Sequence, residues 1–175
     1  MHRCLTDSTS PVFDRWEQFA DILVLTNIEE VTMDPKQPIE RVAFITVLRT
    51  AEELRARFER LLKDYGLTEP QFNVLRIVRG ADKDGIPSQD IGRRMITRVP
   101  DVTRLLERLE QKGLVTRVRS DIDRRVVLTR ITTEGRKLLS QIDDPVDDCH
   151  RQQFANMSKT DQKELIRLLN ALAEG

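Results

Sequence analysis

The chain has 175 residues, with 29 Lys+Arg against 29 Asp+Glu, so its formal net charge is zero, and 39% of it is hydrophobic. This is the size of one large domain or two small ones, and the composition excludes collagen-like, low-complexity and disordered chains. The longest apolar run, Ile22 to Leu25, is four residues, far short of the ~18 that cross a bilayer. Two cysteines, Cys4 and Cys149, make no disulfide framework, and no secretory signal stands at residues 1–10. These features predict a cytoplasmic protein with no membrane association.

Residues 1–38 read as an N-terminal extension. Ser10-Pro11 resembles a helix start, and Phe13, Trp16, Ala20 and Leu23 follow at helical spacing. Asp34 to Pro38 is a breaker, and Met33 just before it is a second candidate start. Trp16 reads as a core residue. From Ile39 to about Asp64 runs one helical pattern without Gly or Pro. Its beginning, Val42-Ala43-Phe44-Ile45, is apolar all round, and a helix of that kind must be covered on every side. In so small a protein this predicts a partner subunit, the alternative being cover by the helix of the N-terminal extension. A narrower stripe follows at Ala51, Leu54, Phe58, Leu61 and Leu62.

Tyr65-Gly66 ends that helix. Thr68-Glu69-Pro70-Gln71 is a capping box that opens the next one, which buries Phe72, Leu75 and Val78 and stops at Gly80. Ser88 is read as the cap of a short helix over 88–96 carrying Ile91 and Met95. Pro100 is read as the first turn of a third helix, 100–113, with Val102, Leu105, Leu106 and Leu109 on its apolar face and Gly113 as its stop. The period then changes to two: Val115–Val118 and Val126–Thr132 predict a β-hairpin with a charged tip at Arg119–Arg125. Thr132 caps a helix that carries Leu138, Leu139 and Ile142, meets a break or kink at Pro145 and ends near Phe154. Ser158 caps the last helix, which is predicted to bury Leu165, Ile166, Leu168, Leu169 and Leu172.

Charge is distributed unevenly. Residues 1–43 sum to −4, 44–85 to +1, 86–130 to +5 with eleven Lys/Arg, and 131–175 to −2. Three short helices followed by a hairpin is the order of a winged helix-turn-helix, and the basic block covers the second and third of these helices and the hairpin. The fold class predicted is mainly α with a small β-hairpin: an N-terminal dimerisation helix at 39–64, a DNA-binding lobe at 65–132 and C-terminal helices at 133–175. The helix at 100–113 is placed to enter a major groove. It presents Asp101, Arg104, Arg108 and Gln111, with Arg98 just before it. Arg124 and Arg125 project on the hairpin, where arginine suits a narrow, negative minor groove.

The run Val102 to Val115, the Asp123-Arg124-Arg125 tip, the Ile131 to Gly135 segment and the Leu67 to Phe72 segment together resemble the multiple-antibiotic-resistance regulator (MarR) family over about residues 39–173. The resemblance implies an obligate homodimer on a pseudo-palindromic double-stranded operator, acting mostly as a repressor, and assigns dimerisation to the C-terminal helices at 133–175. It also implies release from DNA by a small, often phenolic, ligand. It places Ser88 and Gln89 at the start of a phosphate-touching helix, Arg104 near the DNA backbone, and Asp123 as the residue that orients Arg125 in the minor groove. The chain departs from the family pattern at Val99-Pro100-Asp101. Asp101 there reads either as a hydrogen-bond acceptor for cytosine N4 or as a first-turn acid favoured by the helix dipole.

The candidate DNA-binding set is therefore Ser88, Gln89, Arg98, Pro100, Asp101, Thr103, Arg104, Arg108, Asp123, Arg124 and Arg125. The candidate dimerisation set is Val42, Phe44, Ile45, Leu48, Leu165, Leu168, Leu169 and Leu172. No nucleophile–base pair, Gly-rich phosphate loop or metal signature is present, so neither an enzyme nor a cofactor is expected. Two other readings stand beside the regulator: a winged-helix dimer used only for protein–protein contact, and a regulator triggered by oxidation of Cys4 or Cys149. The retained Arg104, Arg124 and Arg125 favour DNA binding over the first.

Overall fold

The computed structural model describes residues 37–81, 85–97 and 99–174. The readings of residues 1–36, Trp16, Met33 and Cys4 among them, lie outside the described residues. The chain divides into two compact units, 1–48 and 49–175. In the first, the described residues form the opening of helix α1, Ile39–Asp64, where Pro38 O accepts from Arg41 N and Val42 N at 3.1 and 3.3 Å. Val42 and Ile45 are half-buried, but Phe44 and Leu48 are 62% and 54% exposed. Among the described residues of the single chain, this segment is not covered on every side.

The second unit continues α1, now with Leu62 fully buried and Leu54, Phe58 and Leu61 half-buried. Ala51, predicted on that stripe, is exposed, being a turn too early to reach the core. Helix α2 is Glu69–Arg79, opened by the capping box: Thr68 Oγ1 accepts from Gln71 N at 3.4 Å, and Gln71 Oε1 accepts from Thr68 N at 3.2 Å. Strand β1 is Ile86–Pro87, helix α3 is Ser88–Arg94 and helix α4 is Val102–Gln111. Strands β2, Val115–Arg119, and β3, Val127–Ile131, follow. Helices α5, Thr133–Gln153, and α6, Lys159–Glu174, complete the chain.

The sheet has three antiparallel strands in the order β1-β3-β2, not the two predicted. Ile86 lies opposite Thr129, and Val115 opposite Ile131. A two-residue strand has no period to read, and Pro87, which lacks an N–H, is tolerated because β1 is an edge. Leu62, Val74, Leu75, Ile91, Leu106, Leu109, Leu139 and Ile142 are fully buried together. Each such side chain contributes about 1.5–3 kcal/mol. This core is where α2, α3, α4 and α5 meet.

Two further features differ, within the single chain, from the break and the buried last helix that the pattern suggests. Helix α5 runs unbroken through Pro145. The lost hydrogen bond costs about 3 kcal/mol in isolation, but Ile142 and Val146 on either side of the proline are buried, and tertiary packing decides helix stability. Helix α6 buries none of its residues: Ile166, Leu168, Leu169 and Leu172 are 41–69% exposed, and Leu165 is half-buried. Its start is as predicted, with Ser158 Oγ accepting from Asp161 N at 3.1 Å. No helix among the described residues is long and apolar enough to cross a membrane.

Candidate nucleic-acid interface

Helix α4 starts two residues later than its sequence pattern predicts. Asp101 is the N-cap, with its carboxylate accepting from Arg104 N at 2.9 Å. Pro100 therefore lies outside the helix instead of in its first turn. An aspartate that satisfies an orphan N–H is worth more at the cap than one turn in. Leu106 and Leu109 are fully buried and Val102 and Leu105 half-buried, so Thr103, Arg104, Glu107, Arg108 and Gln111 face solvent. A shallow groove of about 360 Å³ flanks this face, running between Thr68 and Pro70 on one side and Pro100, Arg104 and Arg108 on the other.

The C-terminal end of α4 is held at three points. Gly113, at φ +69°, takes the left-handed turn after the Lys112 cap. Lys112 Nζ donates to Gly66 O at 2.6 Å and to Gln71 Oε1 at 3.3 Å, tying α4 to the start of α2. Gly135 lets α5 approach so closely that a Cβ there would lie 2.3 Å from Leu114 O. A third tether reaches the hairpin. Glu110 accepts from Arg117 N at 3.1 Å and Arg117 Nε at 2.8 Å, and Glu107 lies 3.8 Å from the same guanidinium. Arg117 is one of the eleven cations counted in the basic block, and it is engaged inside the lobe.

Helix α3 starts at Ser88 itself, with Pro87 as an N-cap that supplies no side chain. Ser88 is thus a first-turn residue and not the cap predicted; it is half-buried, and Gln89 is exposed. Asp90 and Arg93 form an ion pair along this helix. Arg98 lies outside the described residues. The hairpin tip is folded on itself: Ser120 N donates to Val126 O and Val126 N to Asp123 O, both at 2.9 Å. Ser120 Oγ accepts from Ile122 N and Asp123 N, and Asp123 Oδ1 accepts from Arg125 N at 2.9 Å. Asp123 thus fixes the backbone of Arg125. Arg124 and Arg125 are exposed.

A separate cavity of about 510 Å³ lies behind the interface, between α1, α2, α5 and the segment leading to α4. Phe58, Phe72, Ile96 and Val146 give it apolar walls, and Arg76, Arg94, Asp147 and His150 stand around them. Phe58 meets Phe72 edge to face at 5.6 Å and lies 5.4 Å from the His150 ring. The Arg76 guanidinium sits 5.8 Å over Phe72. Beside the cavity, Arg55 Nε pairs with Glu69 at 3.1 Å, and its NH2 reaches Thr97 Oγ1 at 3.5 Å. No residue is assigned to a ligand site from the sequence, where Phe58 and Phe72 read only as core, because the cavity walls come from segments far apart in the chain.

Asp143 of α5 binds Arg79 of α2 through two hydrogen bonds of 2.7 and 3.0 Å. The Arg79 hydrogen bond holds this carboxyl below its ordinary value, against an opposing effect of burial, with the charges of Arg79 and Arg76 adding to the lowering. Asp148 pairs with Arg151. Of the neighbouring aspartates Asp143, Asp144, Asp147 and Asp148, two are therefore bound to arginine, and no cluster of metal-ligating type occurs among the described residues. Cys149 is half-buried and in no disulfide.

Comparison with known proteins places this geometry. The sequence profile of the transcriptional regulator SarA/Rot family matches residues 56–142. The chain is 31% identical over 104 residues to the HTH-type transcriptional regulator FarR of Neisseria gonorrhoeae, covering 59% of this chain and 70% of that one. It is 28% identical to the homoprotocatechuate degradative operon repressor of Escherichia coli, covering 71% and 83%. The crystal structure of a MarR transcription factor from Planctomyces limnophilus is 33% identical over 77% of this chain and 98% of that one, with a TM-score of 0.62.

Proposed function

The chain belongs to the MarR/SarA family of winged helix-turn-helix transcriptional regulators, and we propose that it acts in the cytoplasm as a homodimeric repressor on a pseudo-palindromic operator. The observation that carries this reading is the pair Arg104 and Arg108, one turn apart on the open side of a helix whose other side is buried in the lobe core. Thr103 in its first turn faces base edges, Arg104 with Ser88 and Gln89 adjoins phosphates, and Arg124 and Arg125 enter the neighbouring minor groove. Asp101 acts as cap and does not read a base.

The dimer reading is supported by apolar side chains that the described residues leave exposed: Phe44 and Leu48 on α1, and Leu168, Leu169 and Leu172 on α6. Obligate dimer interfaces are of this apolar kind. The cavity beneath the lobe has the size and lining of a small-molecule site. Its aromatic walls with Arg76 and Arg94 at the rim suit a flat, anionic effector of the phenolic or aromatic-acid type. Ile96 lies both on that wall and five residues before the α4 cap, so an occupant there bears on the recognition helix directly.

The test is fluorescence anisotropy of the full chain against DNA from upstream of its own gene and against unrelated DNA, over a salt series. Specific binding should exceed non-specific binding by about a thousand-fold or more and fall steeply with salt. If neither this DNA nor an unbiased selection from random sequence gives specific binding, the regulator reading fails and the protein-contact reading replaces it.

A further inference from the structure

Ile122 lies in the turn between β2 and β3 and is 100% exposed. Every other side chain of the tip is charged or hydroxyl-bearing: Ser120, Asp121, Asp123, Arg124 and Arg125. The tip is also rigid by construction. Its turn is closed by the Ser120 N to Val126 O bond, and the Ile122 N–H itself is held by Ser120 Oγ at 3.2 Å. Isoleucine is stiff at χ1. A preset backbone and a stiff side chain together aim one apolar group outward at small entropic cost, two and three residues before a pair of exposed arginines.

Resting on the regulator reading above, we propose that Ile122 is a specificity-determining contact: it enters the minor groove beside Arg124 and Arg125 and selects A·T pairs there. The chemistry follows from the groove floor. An A·T pair presents only the N3 and O2 acceptors, whereas a G·C pair adds the guanine 2-amino donor. An aliphatic group offers that donor nothing and strips its water, which is unfavourable. At an A·T step the same group meets sugar walls and a flat floor, and apolar side chains are a recurrent means of minor-groove contact. The arginines supply attraction to the groove, and Ile122 supplies discrimination on its floor.

The experiment uses the full chain and a duplex selected by it from random-sequence DNA. Adenines flanking each half-site are replaced by 2,6-diaminopurine, which adds the 2-amino group in the minor groove and leaves the major-groove edge unchanged. Anisotropy is measured for the parent, Ile122→Val and Ile122→Ala. Parent and valine variant should lose about tenfold on the modified duplex, a discrimination of the size an apolar contact gives. Ile122→Ala should bind both duplexes within about twofold of each other, with an unchanged melting temperature, because the side chain supports nothing in the fold. A parent indifferent to the added amino group, an alanine variant that still discriminates, or a selection that returns G·C pairs at the flanks overturns the contact while leaving the regulator standing. A parent that selects no DNA at all brings down both.

Discussion

Replacing Asp101 by alanine tests how the recognition helix begins. The carboxylate satisfies the Arg104 N–H at 2.9 Å at the positive end of α4. Loss of an aspartate N-cap costs about 1 kcal/mol, within a range of roughly 0.5–2, and the lost charge at the helix N-terminus adds about 0.3–1 kcal/mol. The two effects overlap, so a net cost of about 1.5 kcal/mol is expected. In a chain of this size each kcal/mol lowers the melting temperature by roughly 2–4 °C, giving a fall of about 3–6 °C. Melts are run at one fixed protein concentration, since dimerisation shifts apparent stability. Asp101→Ser keeps a capping oxygen and should recover most of the loss. Asp101→Asn separates cap from base contact. Asparagine still caps, but cytosine N4 would meet an amide in place of a carboxylate. If Asp101 only caps, base preference measured on single-pair operator variants is unchanged in Asp101→Asn, and overall affinity rises slightly as a negative charge leaves the DNA face. An alanine variant that melts with the parent, or an asparagine variant whose preference at one C·G pair falls fivefold or more, refutes the reasoning.

Arg125→Ala should weaken operator binding and reduce the slope of log affinity against log salt by about one per wing, with the dimer intact by light scattering; equal operator affinity would contradict the wing's role. Phe44→Asp sets a charge on a 62% exposed apolar position of α1 and should convert the dimer to monomer at micromolar concentration by light scattering; a dimeric variant refutes the interface. Asp143→Asn should abolish the acid dependence that comes from the Arg79 pair. The folded carboxyl titrates below its ordinary value of 3.8, so its stabilisation is present above that value and lost as pH falls through the lower, folded value. The carboxylate is 37% exposed, so screening keeps the contribution at about 1 kcal/mol or less. The gap in melting temperature between parent and variant should close below about pH 4, and a gap constant from pH 7 to pH 3 is the adverse result.

What the sequence announces here is what local chemistry decides. Thr68 and Gln71, Gly113, Thr132 and Ser158 mark helix ends because the atoms that satisfy the end groups lie within three residues of them. The Val102/Leu105/Leu106/Leu109 stripe marks the inner face of α4, and so by exclusion its outer one. What it leaves silent depends on partners distant in the chain. Periodicity shows that α6 has an apolar face and not what covers it: Leu168 and Leu169 read as buried, and the described residues of one chain leave them exposed. Pro145 reads as a break because the pattern contains the lost hydrogen bond but not the packing of Ile142 and Val146. The cavity is invisible in any window, since Phe58, Phe72 and His150 meet only in the fold.

The basic block shows how a correct composition argument still overcounts. Its eleven Lys/Arg are not eleven phosphate ligands. Arg117 is bound to Glu110 and Glu107, Arg93 to Asp90, and Lys112 to Gly66 O and Gln71. Lys112 and Arg117 fix the relation between α2, α4 and the hairpin, whereas the Arg93 pair lies within α3. Arg104, Arg108, Arg124 and Arg125 lie outside any ion pair described here and are exposed. Counterion release counts only cations that reach phosphate. The salt slope of operator binding should therefore follow the smaller set, while removal of Glu110 should spare that slope and erode specificity, since it loosens the angle between the two reading elements and leaves every DNA-facing arginine in place.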